Sequence, residues 1–414
     1  MSNLTTRTLD CGLTLIVETI PGVRSAGLTW LVPAGTATEP DDRLGLTAMW
    51  SELLLRGAGD LNSREQADAF DKLGVSRGAG ASTFTMDIFA TMLGSRISDA
   101  LPLIVNMVRD PRMHPDAVEP TRDLCLQAID SLEDDPQERV MLELRHRHAP
   151  NPINRSTYGT REGLAAITAE ELRPEWDKRA LPGGSILALA GHVDADAVAK
   201  QLDGLLKGWT GEAKEIQWSN ATSTGYEHIT DQTNQVHIGI AYDAPPENDM
   251  ECWMERVVTG VLSGGMSGRL FTEVREKRSL CYSVYASYGA DKQYVRGVAY
   301  AGTTPERAQE TIEVLSAELH RIMTPEGKVT RDEFDRAVIG LKSKLVMSGE
   351  STGARAGAIA RDQRKIGRPR SLDELAARID QVTLEQVNVY LAKRSLGNVM
   401  VATIGPEKLR LPEA

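Results

Sequence analysis

Apolar residues recur along this chain with two periods, and the change from one to the other marks its elements. LTLIVE is a β-rich run, Pro21-Gly22 marks a turn, and SAGLTWLV is a second run. From Pro40 the period lengthens. PDDRLGLTAMWSELLLRG places apolar residues at helical spacing, with Asp41 and Asp42 near its start, where a helix dipole favours them. The second half repeats this order. NQVHIGIAYDAPPEND is strand-like and then breaks, and MECWMERVVTGVLSGG is helix-like with a glycine-rich end.

A clearer echo lies further along. TAEELRPEWDKRAL, from Thr168, is matched by TLEQVNVYLAKRSL, from Thr383, and each copy runs into an apolar strand that ends in glycine, SILALAG at Gly191 and NVMVATIG at Gly405. A self-match about half a chain apart indicates two homologous domains rather than a solenoid. Each half mixes helices with short strands, so the expected class is α+β, two similar domains each built on a mainly antiparallel sheet packed with helices. The polar stretch around residues 207–228 separates the halves, giving domains at 1–215 and 216–414.

Composition narrows the function classes. The 414 residues exceed one ordinary core. A net charge of −11 argues against a nucleic-acid partner. No long apolar stretch suggests a membrane span, and the N-terminus has no secretory pattern. Cys11, Cys125, Cys252 and Cys281 are scattered, as expected of reduced thiols in the cytoplasm. The one close histidine pair, His146 and His148, points to different faces if helical. LSGGMSG lacks the G-K-[ST] ending of a phosphate loop and more simply ends one helix and starts another.

Two stretches carry a resemblance. GLTAMWSELLLRG, from Gly45, and LSGGMSGRLFTEVREKRSLCYSVYASY, from Leu262, resemble the pitrilysin/insulinase family of inverted zinc peptidases, in the branch that includes processing peptidases and their small bacterial relatives. In that family the first helix carries H-x-x-E-H, two histidine ligands around a general base, and a later glutamate completes the zinc site. Imidazoles and a carboxylate leave one position open for the water that the metal acidifies. Laid on the motif, this sequence has Ala48 and Glu52 at the histidine positions, Ser51 at the base and Ala128 at the third ligand, with Asp130 the nearest later carboxylate. Alanines at two ligand positions cannot hold zinc, so the resemblance implies no metal in this chain.

The second stretch keeps its motif. The resemblance implies that Arg275 and Tyr282, seven residues apart, bind the scissile region of a peptide. A guanidinium fork and a phenol are fixed donors suited to developing oxyanion charge. The plain reading places Arg275 on a solvated helix end and Tyr282 on one face of an alternating strand with Val284, Ala286 and Tyr288. SRGAGASTFTMDIFATML, from Ser76, resembles the family's peptide-pairing edge strand, with Ala81 and Ser82 small enough to suit backbone pairing.

Three functions follow from these residues. One is the non-metal subunit of a zinc endopeptidase, a hetero-oligomer with a zinc-bearing homologue or a homodimer, acting on unfolded or short peptides. Another is a binding or structural homologue with no peptidase role. A peptidase with unorthodox ligands is disfavoured by Ala48 and Ala128.

Overall fold

The computed structural model describes residues 3–219, 221–292 and 294–412. The period-2 runs become strands. In the first half these are β1 (Asn3–Thr8), β2 (Thr14–Thr19), β3 (Ser25–Val32), a short hairpin of β4 (Gly57–Ala58) and β5 (Leu61–Asn62), then β6 (Ser76–Ala81), β7 (Met86–Leu93) and β8 (Ile186–Gly191). The second half supplies β9 (Gly225–Thr230), β10 (Val236–Asp243), β11 (Cys281–Asp291), β12 (Tyr294–Thr303) and β13 (Met400–Gly405).

The two large sheets repeat one topology. The first runs β1-β2-β8-β3-β7-β6 and the second β11-β12-β10-β13-β9. Read from the other edge, the second is β9-β13-β10-β12-β11, which is the first sheet without β1. Pairing matches as well: β2 with β8 and β9 with β13 are parallel, and the other pairs are antiparallel. The echo read from Thr168 and Thr383 is structural too. Each threonine caps a helix, Ala169–Asp177 or Leu384–Lys393, in a capping box closed by Glu171 or Gln386.

Two compact units result, and each takes one segment from the opposite half of the sequence. The first comprises Met1–Ser131, Asn151–Trp218 and Ser348–Ser371, and the second Leu132–Pro150, Ser219–Met347 and Leu372–Ala414. The boundary near residue 215 therefore separates the sheets, but the helix Pro136–His148 belongs to the second unit and the helix Thr352–Ile366 to the first.

The reason lies in the strands. β8 is buried at every position, so both faces of its sheet need cover. On one face the main core forms, with Trp30, Met49, Trp50, Leu53 and Leu101 among its members. On the other, Ile16, Leu31 and Ala188 pack on Ile359 and Ala360 of the helix Thr352–Ile366. That helix lies close because β3 carries a glycine beneath it: a Cβ at Gly27 would sit 2.4 Å from the Gly353 nitrogen. Arg355 pairs with Glu18 of β2 in full burial and donates to the Arg370 carbonyl at 2.6 Å. In the second unit Val140 and Leu144 of the helix Pro136–His148 pack on Ala241, Val298, Ala402 and Ile404. Among the described residues, no helix is long and apolar enough to cross a membrane.

Candidate functional site

The helix Leu46–Leu53 is built to be held rigidly. Met49, Trp50 and Leu53 are fully buried; the Trp50 indole donates to the Leu172 carbonyl at 3.1 Å and meets Trp176 edge-on, 5.4 Å between ring centres. Gly45, at φ 128°, begins the helix without a side-chain cap of its own. Glu39 does that work instead: its carboxylate accepts from the Gly45 and Thr47 N–H groups at 3.2 and 2.6 Å. Burial pushes the Glu39 carboxyl up, against the pull of those donors. Nothing in the local pattern marked Glu39, because a cap six residues upstream lies outside the usual N-cap window.

The opposite stripe of the same helix, Ala48, Ser51 and Glu52, faces a cavity of about 220 Å³. Ala128, Cys125 and Leu124 of the helix Val118–Ser131, Ala81 at the end of β6, and Thr157 and Tyr158 complete its lining. The structure thus gathers Ala48, Ser51, Glu52, Ala128 and Ala81, five residues singled out in sequence, around one space. Asp130 is elsewhere, paired with Arg161. Cys125, Thr157 and Tyr158 were missed, since no spacing rule links them to the helix.

The lining does not fit zinc. Glu52 is its one carboxylate and it contains no histidine. Burial, with the Glu52 charge beside it, pushes the Cys125 thiol up to about 11, so it is no thiolate donor at neutral pH. The Ser51 hydroxyl donates to the Ala48 carbonyl at 2.7 Å. Among the described residues, no three histidine, cysteine, aspartate or glutamate side chains are grouped to hold a metal. His146 and His148 lie on the helix Pro136–His148, where His148 is buried against Tyr294, Nδ1 to hydroxyl 3.0 Å.

Among the described residues β6 is the edge of its sheet and pairs only with β7. Ser82 lies just past it and is not free for a further strand: its N–H donates to the Thr85 carbonyl and its carbonyl accepts from Thr36 N–H, both at 3.0 Å.

In the second unit, Arg275 and Tyr282 are brought together. A π-helical turn, Phe271–Glu276, carries Arg275, and Lys277 N–H closes it onto the Thr272 carbonyl at 3.0 Å. Ser279 follows at φ 52°, and β11 then begins with a bulge between Cys281 and Ser283. The expected alternation holds for Val284, Ala286 and Tyr288, which join the core of this unit, but Tyr282 departs from it. The bulge puts one extra residue on this strand and leaves Tyr282 82% exposed. The Arg275 guanidinium lies 4.9 Å from the Tyr282 ring centre and 4.8 Å from that of Phe271. Stacking fixes the fork yet uses none of its N–H donors. Burial pushes the neighbouring Cys281 thiol up to about 11, with Arg275 opposing, so this side chain too is neutral.

Residues 14–161 match the family model described as Insulinase (Peptidase family M16), and residues 166–341 match the model described as Peptidase M16 inactive domain. A Streptomyces coelicolor protein described as an uncharacterized zinc protease is 29% identical, over 97% of this chain and 89% of its own length. Among solved structures, a peptidase M16 inactive domain from Pseudomonas fluorescens superposes with a TM-score of 0.87 at 21% identity, covering 99% of this chain and 100% of that one. A chain of complex III2 from Candida albicans does so at 0.82 and 18%, covering 98% and 96%.

Proposed function

The chain belongs to the insulinase family of peptidases, and from that premise we propose that it is the metal-free subunit of a zinc endopeptidase, supplying Arg275 and Tyr282 to a peptide held at a zinc site on a partner chain. One observation carries the reading: a π-turn and a β-bulge, two separate departures from regular backbone, place a guanidinium and a phenol side by side with no hydrogen-bond partner within the described chain. Irregular backbone of this kind costs stability and recurs at functional sites. The lining of the first unit's cavity fails the donor test for zinc, which supports a metal held by another polypeptide.

Zinc on that partner would supply the Lewis acid and the activated water. This chain's part is to bind and orient. The Arg275 fork donates to a peptide carbonyl flanking the cleaved bond, and the Tyr282 hydroxyl donates to the oxygen on which negative charge grows. Both are donors held before substrate arrives, so little reorganisation is needed. The family setting favours unfolded or short peptides as substrates. The four dispersed cysteines, none in a disulfide among the described residues, suit the cytoplasm.

The fold likeness to a complex III2 chain supports a second reading, a structural homologue without catalysis. One experiment separates the two. The chain is affinity-purified from its native extract, and the material is assayed for zinc and for hydrolysis of a quenched fluorescent peptide. A co-purifying chain with zinc and activity is expected, with Arg275→Ala lowering kcat/KM on the order of 10²-fold and Tyr282→Phe on the order of tenfold. Recovery of this chain alone, or activity indifferent to both substitutions, overturns the proposal.

A further inference from the structure

A cleft of about 360 Å³ opens where three stretches of backbone in the first unit are laced together. Gly57 of β4 pairs with Asn62 of β5, and the Arg112 N–H donates to the Gly57 carbonyl at 3.0 Å. Gln66, buried, clamps the same corner: its side chain accepts from the Gly57 N–H at 3.1 Å and donates to the Leu54 carbonyl at 3.3 Å. The lacing brings Arg56, Asn62, Ser63 and Arg112 to one rim. Met113 turns into the core at φ 41°, which leaves Arg112 and His114 on either side of it exposed and lining the cleft. Hydrogen bonds already made decide which polar atoms face this space. The Asn62 carboxamide oxygen accepts from the Arg64 and Glu65 N–H groups, both at 3.0 Å, so its NH2 group turns away from the helix Ser63–Leu73. His114 Nδ1 accepts from the Asp116 N–H at 3.3 Å, so the neutral ring carries its proton on Nε2. Arg112 uses one Nη1 donor on the Asp60 carbonyl at 3.2 Å. Among the described residues, the Arg56 guanidinium and the Ser63 hydroxyl make no hydrogen bond, and Arg56 makes no ion pair with Glu52 one turn before it.

We infer that this cleft binds the phosphate group of a small organic phosphate. Its lining is rich in donors and poor in acceptors. Asp116 is the one carboxylate there, and its side chain is 92% exposed, so water screens it from the two guanidiniums. Glu65 and Glu119 close by are committed, to the Asn62 N–H and to Arg122. The balance of charge therefore favours an anion over a cation. The donors come from three separate backbone segments, and a tetrahedral oxyanion offers an oxygen to each, whereas a planar carboxylate serves two. Size points to an ester rather than the bare ion. A phosphate occupies about the space of two or three waters, which leaves most of the cleft for the group that carries it. Ala117 and Pro120 supply an apolar wall for that group. The inference does not rest on the peptidase reading: the cleft lies wholly within the first unit and shares no residue with the Arg275–Tyr282 pair.

The test uses the full chain alone, without partner or zinc. Isothermal titration calorimetry at fixed ionic strength compares phenyl phosphate, inorganic phosphate and phthalate, whose planar carboxylates match the charge of the ester. Phenyl phosphate is expected to bind with a Kd on the order of 0.1 mM, and on the order of tenfold more tightly than either of the others. Arg56→Gln and Arg112→Gln should each weaken phenyl phosphate on the order of tenfold. Arg64→Gln, which removes an exposed cation outside the cleft, should leave its affinity within about twofold. Because Arg112 also holds the Asp60 carbonyl, Arg56→Gln is the deciding variant if Arg112→Gln does not fold. Equal affinity for inorganic phosphate and phenyl phosphate would give the cleft to the free ion and overturn the inference. Phthalate binding as tightly as phenyl phosphate, no binding of any of the three, or an equal loss in Arg64→Gln would overturn it as well. None of those results would bear on whether a zinc-bearing chain co-purifies.

Discussion

Tyr282 differs from its neighbours by a single inserted position, and that position decides what it does. Without the bulge it would share a face with Val284 and Ala286 and pack into the core; with it the phenol stands in solvent over Arg275. Alternation in the sequence predicted the buried arrangement because a bulge has no period of its own to read. The grouping of Ala48, Ser51 and Glu52 around one cavity has a simpler origin. Ala48, Ser51 and Glu52, picked out by resemblance, lie at i, i+3 and i+4 on a helix pinned by Trp50, a spacing that keeps them on one face. Ala128, also picked out by resemblance, comes from a distant helix that no spacing rule connects to them. That geometry is open to a direct test. Reinstating the family set with Ala48→His, Ser51→Glu, Glu52→His and Ala128→Glu uses the volume the cavity already provides. About one zinc per chain is the expected outcome, read by metal analysis after dialysis, and Glu52→His alone should retain none. A quadruple variant that folds but stays metal-free would show that the helices have drifted from ligating distance.

At the scale of elements, the helix Thr352–Ile366 shows what hydrophobic pattern leaves out. Its mean composition is polar, and no periodicity ties it to a sheet whose β2 and β3 lie more than 300 residues earlier in sequence. Small residues and a buried ion pair make the attachment: Gly27 permits the approach, and Arg355 reaches Glu18 where neither side chain sees solvent. Such a pair adds little net stability when made, but breaking one partner strands a buried charge. Glu18→Gln should therefore cost about 3–5 kcal/mol in urea unfolding, far more than an exposed pair such as Arg7–Asp196. A loss below about 1 kcal/mol would mean that water reaches Arg355. The counterpart in the second unit is fastened by a titratable group. His148, fully buried at the end of the helix Pro136–His148, contacts the Tyr294 hydroxyl and the Asn398 carbonyl, with Asp243 at 3.7 Å. Burial pulls its pKa down, against the Asn398 bond and the Asp243 charge. The folded state thus resists a proton that the unfolded chain accepts, so stability falls as pH drops below about 6.5 and on toward the lowered folded value. His228 and His237 are lowered by burial as well and act in the same direction. His148→Gln should flatten the loss of stability between pH 7.5 and 5.5, followed by thermal melts; an unchanged slope would move the effect to the other two.

The whole molecule repeats a topology that its sequence repeats only in fragments. Thr168 and Thr383 were readable as an echo because both cap a helix that feeds a buried strand, and buried strands keep their apolar runs. The division of the chain was readable only as far as the sheets. Polar composition marks the passage from one sheet to the next near residue 215, whereas the two exchanged helices cross it with no compositional signal, since a helix covering a sheet needs only a few small and apolar residues. This makes the chain hard to cut. A fragment ending at Trp218 would keep the six-stranded sheet but lose the cover over Ile16, Leu31 and Ala188, and one starting at Ser219 would lose Val140 and Leu144 from the face formed by Ala241, Val298 and Ala402. Each fragment would also carry a helix whose sheet is absent. Expressed separately, residues 1–218 and 219–414 should therefore aggregate or melt without a cooperative transition, while co-expression should give one complex with a cooperative melt, read by size exclusion and circular dichroism. A permuted pair, in which each fragment retains the helix its sheet needs, should recover folding that the simple halves lack. Independent cooperative folding of the simple halves would instead show that the exchanged helices add little to either core.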